Sequence, residues 1–257
     1  PYGYTSFFCD ATSAIVPGKK NVVAVRVDNS QQKNCRWYSG SGIYRHVWLI
    51  HTPMMHIDNW GVAVHTPEVS ASQATVQVKT QLNNETSVDK TVLLVTKIAG
   101  AKDASTSVMI PANSKKEVVQ QLIVSQPKLW DIDTPNLYEA HVSIQDNGKT
   151  IDTYSQAFGI RTISYSTKGF FLNGRKINLN GGCLHHDNGI LGAAAFDRAE
   201  ARKAEMMKKA GFNAARTSHN LPSEAFLEAC DRVGLLVIDE AFDGWREAKN
   251  KYDYSTL

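Results

Sequence analysis

His185, Arg216, His219, Asp239 and Glu240 carry the side chains of this sequence whose types and spacing could do chemistry together. Each falls at or just past the end of a short apolar segment: Ile177–Asn180, Phe212–Thr217 and Leu235–Ile238. Imidazoles donate and accept hydrogen bonds near neutral pH. A guanidinium offers a fixed fork of donors and a permanent charge, suited to orienting a carboxylate. One such group after one strand is ordinary loop polarity. Its recurrence after three consecutive segments reads as a substrate-facing rim, since α/β barrels gather such groups at the C-terminal ends of parallel strands. Asp239 and Glu240 are consecutive strand residues and point to opposite faces, so they cannot approach one reacting atom from two sides. Cys183 lies beside this rim with no evident base to activate it and reads as packing. Adjacent histidines rarely chelate one ion tetrahedrally, which argues against zinc at His185, His186 and Asp187.

The elements that must position these groups read as β-α-β-α-β. Ile177-Asn178-Leu179-Asn180 is a strand that runs into a loop at Gly181-Gly182. A helix is expected from Asp197, where Asp197 and Glu200 have capping-box spacing and Ala201, Ala204, Met207 and Ala210 share a face. Gly211 can close it in a left-handed turn. A second helix begins near Pro222, turns Ala225, Phe226, Ala229, Cys230 and Val233 inward, and stops at Gly234. Leu235–Ile238 is a continuous apolar run, the pattern of a strand covered on both faces.

Gly211-Phe212-Asn213-Ala214-Ala215-Arg216-Thr217-Ser218-His219 and Cys230 through Glu240 closely resemble the barrel signature of glycoside hydrolase family 2, and within it the β-galactosidases. Asn173-Gly174 through Asp187 is similar to that family's first barrel strand and loop. The resemblance implies that His185 and His219 hydrogen-bond sugar hydroxyls, and that Arg216 sits beneath the nucleophile. It also matches Glu240 to a position that binds Mg²⁺ in some galactosidases. Those enzymes carry a His two residues later, where Phe242 stands here. Trp245 is a candidate sugar platform. A retaining glycosidase needs two carboxyl groups roughly 5 Å apart across the scissile bond. In the family these are glutamates on later barrel strands, outside this sequence, so no catalytic residue is assigned here. Asn84-Glu85, the sole Asn-Glu pair, belongs to an expected β-sandwich loop.

The fold class that follows is multidomain β plus α/β: a partial jelly-roll β-sandwich over 1–52, an immunoglobulin-like β-sandwich over 53–164, and the first third of a TIM barrel over 165–257. In the first part, Asn21–Val27 and Val47–Ile50 read as strands. Thr5-Ser6-Phe7, Val27-Asp28-Asn29 and Arg36 through Arg45 resemble the end of the family's sugar-binding domain, and Asp28 is the candidate for an aspartate that reaches the sugar. In the second part, Thr75–Thr80, Val118–Val124 and Glu139–Ile144 alternate, and Asp146-Asn147-Gly148-Lys149 signals a tight hairpin. Pro127–Tyr138 and Phe158–Arg161 resemble the family's spacer domain.

Composition bounds the rest. With 257 residues and a net charge of +3, the chain is long enough for two domains or a little more and too mildly basic to suggest nucleic acid. No run of about 18 apolar residues predicts a membrane span. No signal-peptide pattern is visible at Pro1-Tyr2-Gly3-Tyr4, and the compartment stays unknown. The four cysteines read as free thiols. The expected partner is a carbohydrate, with magnesium at Glu240 the one ion that the resemblance implies. A parallel sheet cut after three strands is expected to self-associate through its uncovered surface or to leave its last segment loosely ordered. The functional expectation is part of a retaining β-galactosidase, inactive alone. The alternatives are a β-glucuronidase or β-mannosidase of the same family, or a non-catalytic carbohydrate-binding or structural module.

Overall fold

The computed structural model describes residues 4–28, 30 and 42–241. Contacts divide the chain into two units, one of residues 1–47, 180–230 and 235–257, the other of residues 48–179 and 231–234.

The second unit is dominated by an antiparallel β-sandwich. Strands β1 (Met55–Val69), β2 (Gln73–Asn84) and β5 (Ser114–Ser125) form one sheet in the order β1-β2-β5. Strands β3 (Lys90–Ile98), β4 (Ala104–Ile110), β6 (Tyr138–Asp146) and β7 (Lys149–Phe158) form the other, ordered β4-β3-β6-β7. Alternation sets the core: Val76, Val78, Leu82 and Leu122 of the first sheet and Leu94, Ile110, Val142 and Ile144 of the second are all buried. Gln120 breaks the pattern by being polar and buried. Thr96 donates to its carbonyl oxygen (2.7 Å), while its amide donates to the Leu94 carbonyl (3.2 Å) and the Thr106 hydroxyl (2.9 Å). Asn147 (φ 49°) and Gly148 (φ 78°) both adopt positive φ, the requirement of the primed turn expected there.

Trp130 is the largest fully buried side chain of this unit. Its indole N–H donates to the Asp231 carbonyl (2.7 Å), and Arg161 lies 4.9 Å over its ring. A Cβ at Gly159 would come within 2.6 Å of the Trp130 side chain, so only glycine fits there.

Strands β8 (Ile163–Ser166), β9 (Gly169–Leu172) and β10 (Arg175–Ile177) make a small antiparallel sheet, ordered β10-β9-β8. This corrects the expectation of a barrel strand over 177–180. Ile177 instead ends an antiparallel strand paired with Phe170, and the parallel ladder starts at Gly181.

In the other unit, β11 (Gly181–Leu184), β12 (Ala214–Thr217) and β13 (Leu236–Asp239) form a parallel sheet in that order, with α1 (Asp197–Lys209) and α2 (Glu224–Val233) in the connections. The expected capping box is absent. Phe196 is the N-cap without a side-chain bond, Asp197 is taken by His46 (2.6 Å), and Glu200 is drawn inside. Ala201, Ala204 and Met207 are buried as expected, but Ala210 is exposed, because it already lies in the closing turn that Gly211 (φ 89°) completes. Ser223 caps α2, its hydroxyl accepting from the Phe226 amide (3.2 Å). Phe226, Ala229 and Cys230 are buried, whereas Ala225 and Val233 are half-buried. Ile238 is 50% exposed, so β13 is not covered on both faces.

The strands expected at 21–27 and 47–50 do not form. These segments carry no ladder, and Val22, Val23, Trp48 and Leu49 are exposed. Apolar alternation supplies only one half of a strand; the other half is a neighbour for its backbone hydrogen bonds, and no described segment pairs with either.

Replacing Gly159 by Ala is expected to destabilise the sandwich by about 1–3 kcal/mol through overpacking against Trp130. Urea unfolding followed by Trp fluorescence measures this, and an unchanged midpoint would contradict the tight fit.

Candidate functional site

The parallel register aligns the rim. Cys183 pairs with Arg216 and Arg216 with Ile238; Leu184 pairs with Thr217 and Thr217 with Asp239. The next residues on each strand, His185, Ser218-His219 and Glu240, therefore leave the sheet at one level. A Cβ at Gly181 would sit 2.3 Å from the Ala214 carbonyl oxygen, so this first strand approaches its neighbour only because it begins with glycine.

Glu240 is the centre of the cluster. One carboxylate oxygen accepts from Arg216 Nε and the other pairs with His219 Nδ1 at 2.8 Å. Burial opposes its charge, but the bonds from His219 and Arg216 outweigh this and hold the carboxyl below the usual glutamate range. His185 stands edge-on to His219, ring centroids 5.6 Å apart. The Ser218–His219 peptide is cis. Asp239 faces the other way, accepting from the Thr217 hydroxyl at 3.0 Å, and burial pushes its pKa up. The Glu240 amide donates to the same hydroxyl at 3.3 Å. Thr217 thus fixes both acidic residues, a role its sequence did not announce.

The structure thereby brings His185, Arg216, His219 and Glu240 together. Among the described residues, the hydrogen bonds of Asp28 are local, from Arg26 (3.3 Å) and from the Ser30 amide (3.1 Å) and hydroxyl (2.7 Å), and none reaches the rim. Trp245, Phe242 and Arg36 through Tyr38 lie outside the described residues. Cys183 corrects its expected packing role: it is exposed, 3.5 Å from Arg216, and the Ser218 hydroxyl and then the guanidinium lower its thiol pKa. The reason is register, which puts Cys183 on the same sheet face as Arg216.

The residues around Glu240 do not fit a magnesium ion. Both oxygens are engaged, one by a permanent cation. Among the described residues no group of three or more His, Cys, Asp or Glu could hold a metal. His186 is turned elsewhere. Its ring accepts at Nδ1 from Arg45 (3.3 Å) and lies 4.9 Å from that of Tyr4; burial, then Arg45 and Lys203, depress its pKa to about 4.

Comparison with known proteins decides the family. The model of glycosyl hydrolases family 2 matches residues 55–161, and that of the family's TIM barrel domain matches 163–249. The chain belongs to glycosyl hydrolases family 2. It is 46% identical over 99% of its length to a β-galactosidase of Bacteroides ovatus, covering 31% of that protein. To a putative β-glucuronidase of Formosa agariphila it is 38% identical, again over 99% of the chain but 24% of the relative. A crystal structure of a family 2 member from Bacteroides cellulosilyticus superposes with TM-score 0.82 at 48% identity, covering 87% of this chain and 30% of that one. The chain thus spans less than a third of the length of these family members. The expected sandwich and the start of a TIM barrel are the family's domains, here with the jelly-roll strands unformed among the described residues. No helix among the described residues is long and apolar enough to cross a membrane.

The depressed pKa of Glu240 fixes a pH dependence. A carboxylate held below its unfolded value stabilises the fold above about pH 4.5 and loses that contribution as pH falls through the lower folded value. Carbon-detected NMR titration of Glu240 is expected to give a midpoint below 4.5, and a midpoint at or above it would remove the ion cluster from the account.

Proposed function

We propose that this chain is the sugar-positioning part of a retaining β-galactosidase, with the acid/base and nucleophile supplied by polypeptide outside these residues. The observation that carries the proposal is the rim cluster. The edge-on pair of His185 and His219, with Glu240 holding His219 and Arg216, supports a role for these imidazoles in hydrogen-bonding sugar hydroxyls. Bonds to hydroxyls that tighten as the ring takes on oxocarbenium character lower the barrier rather than merely the KM. Neither acidic rim residue can break the bond. Glu240 is held by Arg216 and His219, and Asp239 turns to Thr217 on the opposite face. In the proposed division, 1–52 completes a sugar-binding jelly roll that brings Asp28 toward the substrate, 53–164 is an architectural sandwich, and 165–257 begins the barrel and carries Trp245 as a sugar platform. The edges of the three-stranded parallel sheet, with Ile238 exposed, favour self-association of the chain on its own.

A β-glucuronidase is the second reading, favoured by relatives that bear that name, among them a structure from Bacteroides uniformis with TM-score 0.80 and 28% identity. A glucuronide presents a carboxylate and calls for an uncommitted cation. Arg216, the permanent cation of the rim cluster, is committed to Glu240, which supports the neutral sugar.

Hydrolysis of chromogenic β-galactoside and β-glucuronide by the chain, alone and with the remainder of the barrel added in trans, tests this. The expected result is galactosidase activity only on complementation. Activity of the chain alone would overturn the assignment of the missing carboxylates, and preference for the glucuronide would overturn the sugar. Glycan binding that no complementation converts to hydrolysis would make the chain a binding module.

A further inference from the structure

The two rim loops that begin with His185 and His219 share one anchor, and it lies on α1. The Glu200 side chain is 6% exposed. One of its oxygens accepts from Asn188 Nδ2 (2.8 Å) and pairs with Lys203 Nζ (2.9 Å). The other accepts from the Ser223 hydroxyl (2.8 Å). Asn188 lies in the loop after β11, where its amide side chain also donates to the Ala194 carbonyl (3.1 Å) and its backbone amide to Gly192 (2.8 Å). Ser223 closes the loop after β12 and caps α2. Burial opposes the charge of Glu200, yet the bonds from Asn188, Lys203 and Ser223 prevail and keep it ionised.

A helix that only had to pack against its sheet would do as well with an apolar residue here. Exchanging a buried ion pair for well-packed apolar side chains is often neutral or stabilising, so stability does not account for the pair. A single carboxylate whose two oxygens each hold one loop does account for it, because it fixes the spacing between those loops. We propose that Glu200 is a positioning residue of the sugar site. It sets the separation of His185 and His219 through Asn188 and Ser223 and touches no substrate itself. This rests on the rim being the sugar site.

The test uses Glu200→Leu combined with Lys203→Met, which removes both buried charges, and Glu200→Gln, which keeps the length but offers one accepting oxygen where two are used. In the full chain, the imidazole ¹H–¹⁵N signals of His185 and His219 are followed, with His56 and His141 of the sandwich as references. In the complemented enzyme, kcat and KM are measured on a β-galactoside. The expected result is shifted or broadened His185 and His219 signals with the references unmoved, and a kcat reduced about tenfold or more with a smaller change in KM. Glu200→Gln is expected to be intermediate. Unmoved His185 and His219 signals in a folded variant would overturn the proposal, as would an unchanged kcat. Should the double variant fail to fold, Glu200→Gln decides by the same signals. Should the wild-type complement show no activity, the sugar-site reading fails, while the histidine signals still decide whether Glu200 positions the loops.

Discussion

The site depends on the register of a three-stranded parallel ladder. Once Cys183, Arg216 and Ile238 stand in one row, the residues that follow each strand emerge together, and side-chain alternation sorts them by face. Glu240, two residues beyond Ile238, returns to the face of Arg216 and pairs with it, while Asp239 turns to Thr217. A slip of one residue would exchange these partners and leave Arg216 facing the wrong acid. The short glycine contact at Gly181 secures that register, because any side chain there would collide with the Ala214 carbonyl.

Around the ladder, buried polar groups fix the loops where apolar packing alone would leave them free to choose. Glu200 ties down Asn188 and Ser223, and Thr217 orients both Asp239 and the Glu240 amide. A similar device holds the sandwich, where Gln120 spans Thr96, Leu94 and Thr106 inside an otherwise aliphatic core. Each of these groups is matched by partners, which is what makes burial tolerable and the geometry specific. The rim is thus electrostatically closed on itself. Arg216 and Glu240 neutralise one another, and the imidazoles of His185 and His219 stand together beside them.

Where the sequence misled, it did so over partnership. The apolar runs at 21–27 and 47–50 have the composition of strands, but a strand is a relation between two segments and composition describes one. Gly181-Gly182 looks like a loop because glycine weakens an isolated strand. It is a strand here because the neighbouring backbone needs the space. The capping box at Asp197 and Glu200 failed because both carboxylates found partners elsewhere in the chain, His46 for one and Asn188 and Ser223 for the other.

What the sequence determined by itself were the features set by local chemistry and short-range periodicity. These include the sandwich strands with their Asn-Gly turn, the two amphipathic helices with their glycine stops, and the succession of polar residues after apolar segments that marks a barrel rim. Its long motifs also carried the family. Only the tertiary structure decided that Glu240 clasps both Arg216 and His219, that Cys183 is an exposed thiol beside them, and that Glu200 reaches two loops at once. Those are facts of register and long-range contact. They bring together residues twelve or more positions apart, and no spacing along the chain encodes them.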